Sequence, residues 1–474
     1  MRARVAGHNS AFARIRDFTD FFAWSSPARF ALIIFTGLVI ILTAVLSLPI
    51  ATTDRSVTPL ADAFFTAMSA ICVTGLATVD MASHWSTFGN VAILIGLEVG
   101  GIGVLTLASI LGLIVSRRLG LKAKLLAASD SNPLRIHAGP VAEGQAIRLG
   151  EIGGLLATVA ISVLSIEAVL TFLFVPRLLL GGEDAWTSVW QSFYFATSAF
   201  TNTGFVPRVE GMAPYAADPW MLSVIGLGVV IGSLGFPVIF ALTRGWRGRH
   251  RMSIHVKLTL TTSAILIVAG AIAIYALEWN NSKTLGAQDP VVRPMTATFL
   301  SLMTRSGGFS TVDVGQMHDS SLLVMDMLMF VGGGSASTAG GIKVTTLAVL
   351  FLAALAEAKG DNDIQVFGRR IPPDVLRISV SVVLWGATIV AVSTIALLTV
   401  SHQPLNRVLF DVISAFGTCG LSTGATAEMP DAGKYILAAT MWAGRVGTVT
   451  LAAAVAASQR RQLFTLSEER PIVG

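Results

Sequence analysis

The residues of this chain that could do chemistry are glycines, and the chemistry is that of backbone carbonyls. No phosphate-binding loop, nucleophile triad or metal-ligand cluster can be drawn from the 474 residues, so an enzyme is not expected. Four stretches instead repeat one form: Ser69–Leu76 (SAICVTGL), Ser198–Phe205 (SAFTNTGF), Leu302–Phe309 (LMTRSGGF) and Ser414–Leu421 (SAFGTCGL). Each follows a short apolar segment and ends in a glycine followed by Leu or Phe; the glycines are Gly75, Gly204, Gly308 and Gly420. Glycine reaches positive φ without penalty, so it can turn neighbouring carbonyls inward. Carbonyl rings of this kind replace the water around a cation in potassium-channel filters. One such loop would mean little, since re-entrant glycine loops also occur in secondary transporters and water channels. Four, each between a short apolar helix and a full span, predict four copies of one unit around an axis, with a cation filter where the loops meet.

A second glycine cluster is Gly332–Lys343 (GGGSASTAGGIK). Each glycine weakens a helix by about 1 kcal/mol relative to alanine, so the span containing it should break into helix, loop and helix. Small residues also permit close helix packing in membranes, but clustering with Ser335, Ser337 and Thr338 favours a mobile polar loop beneath the filter. Lys343 closes that loop, either repelling cations or anchoring the next helix. Arg445 falls inside the last apolar span, where a charge is expensive and faces protein or an aqueous path; it either faces the pore or pairs with Glu98 or Asp326. Arg305 opens the third loop and is read as bracing it from behind, through carbonyls or through Asp313 or Asp411, with an Arg reaching the outer surface as the plainer alternative. Glu167 lies mid-span and Asp411 in the fourth short helix. Cys72 and Cys419 are read as small buried apolar residues with no bridge between them. The seven histidines are all placed in loops or tails, which argues against a histidine relay.

The elements that must position these residues are membrane helices. The chain is 53% hydrophobic and 13% charged, with a mean hydropathy of +0.71, whereas a soluble domain carries about 25% charge. Apolar runs long enough to cross a hydrocarbon core of about 30 Å recur throughout. The fold class is therefore an all-α polytopic membrane protein with eight full spans and four re-entrant half-helices, in four pseudo-repeated span–half-helix–loop–span units around a central pore. The units are residues 30–120, 145–245, 255–358 (with the glycine loop at 332–343) and 374–457, between tails at 1–29 and 458–474. Their spans are Phe30–Ile50 and Asn90–Val115, Gln145–Phe174 and Trp220–Leu242, Leu258–Leu277 and Ser321–Ala356, and Leu376–Val400 and Tyr435–Ala457. Their half-helices are Leu60–Ala70, Ala185–Ser198, Pro290–Met303 and Leu405–Phe416. Phe30–Ile50 is too long for a signal-peptide core. Basic residues gather in the tails and inter-unit loops (Arg117, Arg118, Lys122, Lys124, Arg244, Arg247, Arg249, Arg251, Lys359, Arg369, Arg370), which places both termini in the cytoplasm and opens the four glycine loops to the outside. The net charge of +5 thus reflects topology, and no nucleic-acid partner is implied.

Through CVTGL, TNTGF, RSGGF and GTCGL, with GGGSASTAGGIK and GRVGTVTL (Gly444–Leu451), nearly the whole chain resembles the Trk/Ktr/HKT superfamily of potassium transporters, most closely the KtrB-type membrane subunit. The resemblance implies four single-glycine filter segments: Cys72, Val73, Thr74 and Gly75; Thr201, Asn202, Thr203 and Gly204; Arg305, Ser306, Gly307 and Gly308; Gly417, Thr418, Cys419 and Gly420. It implies a gate of Gly332, Gly333, Gly334, Ser335, Ser337, Thr338, Gly340, Gly341 and Lys343, with Arg445 facing the pore below the filter. Potassium would be bound by backbone carbonyls and transported, with no organic cofactor in this chain. In related plant transporters a Ser at the first filter glycine goes with sodium preference, so Gly75 favours potassium. Glu98 stands where related chains carry Gln. The resemblance also implies a homodimer in the inner or plasma membrane, regulated by a separate cytoplasmic nucleotide-binding ring. Channel-like uptake is the leading expectation; potassium transport coupled to sodium or protons is the alternative.

Overall fold

The structure is a computed structural model that describes residues 27–103, 149–245 and 252–447, with side chains described from residue 33 in the first stretch and over 158–242 in the second. The basic tails, Arg117, Arg118, Lys122, Lys124, Arg247, Arg249 and Arg251, and the far ends of the first unit's second span and of the last span, lie outside the described residues.

The described residues are mostly helical. In order come α1 (Pro27–Leu46), α2 (Leu60–Ile71), α3 (Thr87–Gly103), α4 (Leu149–Leu180), α5 (Ala185–Phe200), α6 (Pro219–Leu234), α7 (Phe236–Gly245), α8 (Ile254–Glu278), α9 (Arg293–Met303), α10 (Asp319–Phe330), α11 (Val344–Lys359), α12 (Pro373–Ser401), α13 (Leu405–Gly417) and α14 (Asp431–Trp442). Asp184 starts α5 by accepting from the Thr187 backbone N–H at 3.0 Å, and Asp218 starts α6 by accepting from Trp220 and Met221. Side-chain caps of this kind satisfy donors that a helix start leaves free. The Asp184 carboxyl is held below its usual range by hydrogen bonds from Thr187.

Helices α2, α5, α9 and α13 have 12, 16, 11 and 13 residues. At 1.5 Å per residue they reach about 16–24 Å, short of a hydrocarbon core of about 30 Å. They are nonetheless buried along much of their length; α2, for example, buries Phe65, Ala67, Met68, Ser69 and Ala70. Long helices enclose them and expose apolar side chains outward, including Phe172 on α4, Ile265 and Ile272 on α8 and Leu384 on α12. Only 11% of the apolar window of α8 is buried, a surface that lipid must cover.

Three helices among the described residues are long and apolar enough to cross a membrane: Thr158–Leu180, Ile254–Glu278 and Pro373–Ser401. The other expected spans are broken, short within the described residues, or run beyond them. Ser321–Ala356 breaks into α10 and α11 around the glycine loop, as its composition predicts. The expected continuous span Trp220–Leu242 is instead bent by 105° at Gly235, whose φ is +88°. The physical signal is the Gly-Phe-Pro run: glycine supplies the left-handed turn, and Pro237 opens the next helix where its missing N–H does no harm.

Two further expectations are corrected. The chain is not entirely α-helical: Ile364–Val366 and Arg369–Ile371 form an antiparallel hairpin, Ile364 opposite Ile371. Its two-residue turn, Phe367 and Gly368, has φ of 50° and 70°, the paired positive values that match hairpin twist. The hairpin sits within a short basic loop, where its alternation is easily missed. Its apolar side packs on Leu258, Ala348 and Val349. His255 is not in a loop but in the first turn of α8.

Candidate functional site

The four glycine loops share one backbone signature. The residue two before each glycine has positive φ: Val73 (54°), Asn202 (62°), Ser306 (75°) and Thr418 (45°). The glycines follow at 91°, 84°, 75° and 95°. For a β-branched residue such as Val73 or Thr418 the left-handed region is strained by about 1–2 kcal/mol, and such outliers persist only where surrounding structure holds them. The hold comes from the half-helix ends. Thr74, Thr203 and Cys419 donate their backbone N–H to the carbonyls of Ser69, Ser198 and Ser414, at 2.8, 2.9 and 2.8 Å. The same serines act a second time: Ser69 and Ser414 hydroxyls accept from the Gly75 and Gly420 N–H, each at 3.1 Å, and Ser198 donates to the Phe205 carbonyl. The third loop has Leu302 in place of that serine, and there Gly307 donates to Met303 instead. These serines open three of the four repeated stretches and were visible in the sequence, but nothing there assigned them a task.

The loops meet at their glycines. A β-carbon on Gly75 would stand 1.7 Å from the Thr203 carbonyl oxygen, and one on Gly204 2.9 Å from that of Gly307. On Gly308 it would stand 2.7 Å from the carbonyls of both Cys419 and Thr203; on Gly420, 2.5 Å from that of Thr74. Each loop therefore brings the carbonyl of the residue before its glycine to a common junction. The C-termini of α2, α5, α9 and α13 end at the same place, and their dipoles favour positive charge there.

Side chains lock the junction from outside. Ser306 donates to the Thr418 carbonyl at 2.6 Å, tying the third loop to the fourth. The Thr201 and Thr203 hydroxyls lie 2.8 Å apart. The Asn202 amide nitrogen, in the orientation that satisfies it, donates to the carbonyls of Ala199, Phe200 and Val229. Gly417 closes α13, so the fourth loop proper begins at Thr418. Cys72 and Cys419 are both buried; the Cys72 sulfur faces Met68 and the Cys419 thiol donates to the Met303 carbonyl.

Gly332–Lys343 packs directly beside these loops. Gly334 and Thr338 donate to the Ser233 and Gly232 carbonyls, and Phe236 donates to Ala336, so the loop is seated in the bend between α6 and α7. Thr338 also donates through its hydroxyl to the Phe200 carbonyl at 3.3 Å. A β-carbon on Gly340 would meet the Thr418 hydroxyl at 2.3 Å, so glycine is needed for this approach. Ser337 donates to Gly334, and the Ser335 hydroxyl lies 3.0 Å from that of Thr345.

Three cations hold the loop. Lys343 folds its ammonium back within the loop onto the Ala339 carbonyl, 2.5 Å away. Arg305 donates to the Gly332 carbonyl at 2.9 Å. It is 2% exposed and thus does not reach the surface, and neither carboxylate considered for it is its partner. Asp313 accepts from the Gly315 N–H, and Asp411 from Ser422, Thr423 and Thr426. Arg445, in the π-helical turn Ala443–Gly447, donates to the Thr338 carbonyl, and its Nε and Nη2 have no protein partner among the described residues. Its hydrogen-bond partner is neither Glu98 nor Asp326 but the glycine loop itself.

The sequence and the fold both have relatives. Residues 22–462 match the family of TrkH cation transport proteins. The chain is 32% identical over 441 residues to the Ktr system potassium uptake protein B of Bacillus subtilis, covering 92% of this chain and 95% of that one. It is 32% identical over 428 residues to the protein of the same name from Vibrio alginolyticus, covering 90% of each. It is 28% identical to the potassium/sodium uptake protein NtpJ of Enterococcus hirae, covering 94% of this chain and 95% of that one. Among solved structures, the potassium transporter TrkH of Vibrio parahaemolyticus superposes with a TM-score of 0.63 at 18% identity, covering 88% of this chain and 83% of that one, a likeness of fold.

Proposed function

The chain belongs to the TrkH family of cation transport proteins, and from that premise we propose that it is the membrane subunit of a channel-like potassium uptake system. The observation that carries the proposal is the junction of four loops, each with a positive-φ glycine and the carbonyl before it turned to the same point. Four carbonyl-bearing walls at the ends of four half-helices suit a partly dehydrated cation and offer nothing to an anion. On this reading the four units surround one pore in eight passes of the chain, two of them broken. The filter comprises Cys72–Gly75, Thr201–Gly204, Arg305–Gly308 and Gly417–Gly420.

Gly332–Lys343 is the gate. It lies against the filter loops, it depends on a few hydrogen bonds to the α6–α7 bend, and Arg445 fixes its Thr338 carbonyl. A fixed positive charge there raises the barrier to a cation, and releasing the loop would move both charge and obstruction. Both termini are cytoplasmic, by the distribution of basic residues, and the filter opens outward. By the resemblance of its motifs, the chain works as a homodimer regulated by a separate nucleotide-binding ring on the cytoplasmic face.

The test is rescue of a bacterium lacking its own potassium uptake at low external potassium, with the regulatory ring supplied. The wild-type chain rescues growth; Gly75→Ser rescues poorly at low potassium and admits more sodium. No rescue by well-expressed wild-type protein overturns the proposal.

A further inference from the structure

Behind the second filter loop two carboxyl groups meet in the interior. Glu167, in the middle of α4, is 0% exposed, and neither of its oxygens has a hydrogen-bond donor among the described residues. Its carboxyl interacts with the side chains of Glu98 of α3 and Thr197 of α5. Glu98 receives the Thr197 hydroxyl on Oε1 at 3.3 Å, while its Oε2 also lacks a donor. No Lys or Arg acts on Glu167. The described elements packed around it, α3, α5, α6 and α7, present Glu98 and Tyr194 as their only titratable side chains within their described apolar lengths, and Arg177 of α4 is paired with Asp218 at the helix end.

Two ionised carboxylates in contact, buried and without a counter-ion, repel each other and lose their hydration together. A single proton between them removes both problems, as in paired carboxyls that cannot ionise together. We propose that Glu98 and Glu167 form a proton-binding site that shares one proton and braces the second filter loop through Thr197. The path is short. Thr197 bonds Glu98 with its hydroxyl, and its carbonyl accepts from both the N–H and the hydroxyl of Thr201, at 2.9 and 2.6 Å. The Thr201 hydroxyl meets that of Thr203, whose carbonyl stands at the glycine junction. Loss of the proton leaves two anions; they separate, and the Glu98–Thr197 contact that steadies the loop is released. The consequence for transport rests on reading that loop as part of a cation filter, but the shared proton does not.

Infrared difference spectroscopy of the full chain in lipid separates the two. At neutral pH the wild type should show the carbonyl stretch of a protonated carboxylic acid, shifted in D2O, that changes frequency in Glu98→Gln and in Glu167→Gln and is missing from the double variant. In liposomes, wild-type potassium flux should fall on the alkaline side, by about tenfold per pH unit once the proton is leaving; the Gln variants, which cannot form the two-anion state, should lack this alkaline fall. A band unchanged in either single variant or retained in the double variant, or absent from the wild type because a metal cation sits between two carboxylates, overturns the site. A flat wild-type flux profile with the band present overturns its link to the loop. Absence of any flux with the band present counts against the transport reading and leaves the site standing.

Discussion

Placing a single methyl group on Gly75 tests the junction where it is tightest. The new β-carbon would lie 1.7 Å from the Thr203 carbonyl oxygen, whereas ordinary contact begins at 3.4 Å, so one loop must retreat by about 1.7 Å. The same carbonyl also borders Gly308 and Gly420, so its movement disturbs its own wall and the other three. The residue also keeps a φ of +91°, which for a non-glycine residue is unfavourable by about 1–2 kcal/mol. If one carbonyl's hold on the cation is lost, a hydrogen bond to a charged group is a fair guide at about 1.5–3 kcal/mol, or about ten- to a hundredfold in rate. Gly211→Ala is the control: its φ is +58° with nothing within 4 Å of the new carbon, so it carries backbone strain without the clash. In thermal unfolding Gly75→Ala should lose more stability than Gly211→Ala, and in liposomes only Gly75→Ala should lose potassium flux by about tenfold or more. A folded Gly75→Ala protein whose flux stays within about twofold of wild type would refute the reasoning.

Other perturbations read other parts of the arrangement. Arg445→Ala removes a fixed charge and the donor to the Thr338 carbonyl. Coulomb's law gives about 1–2 kcal/mol between charges some 10 Å apart at an effective dielectric of about 20, so flux should rise by about tenfold, and unchanged flux in liposomes would argue against a pore-facing role. Val73 is buried at a φ of 54°, so calorimetry should find Val73→Gly more stable than Val73→Ala by about 1 kcal/mol, the reverse of the usual order. Asp184→Ala removes the cap of α5. Because the Asp184 carboxyl is held below its usual range, its contribution is complete above the unfolded value of about 3.9 and is lost as pH falls through the folded value. The melting temperature of the variant should therefore trail wild type at neutral pH and converge with it in acid.

Much of the frame was legible because strong punctuation marks it. The half-helices begin where expected at Leu60, Ala185 and Leu405, after Pro59, Asp184 and Pro404, and the third ends where expected at Met303. The five glycines of Gly332–Gly341 break their span as their propensity dictates. Less legible were features that depend on carbonyls. Carbonyls were one of the two expected partners of Arg305, and it takes that of Gly332; for Arg445 residue types direct attention to Glu98 or Asp326, yet its guanidinium binds a main-chain oxygen of the glycine loop. A backbone oxygen has no letter in a sequence. The same blindness hid the work of Ser69, Ser198 and Ser414, which is done on loop backbone. The bend at Gly235 was missed because hydropathy runs unbroken through it, although the following Phe-Pro pair carried the signal.

The central claim is that a cation passes down its own electrochemical gradient through the junction of the four loops. Its most direct test is the reversal potential of purified protein in a planar bilayer, with the regulatory ring present and a potassium gradient imposed. The current should reverse at the potassium equilibrium potential and stay there when a sodium or pH gradient is added. A reversal potential that follows either added gradient would contradict the account and identify a coupled transporter.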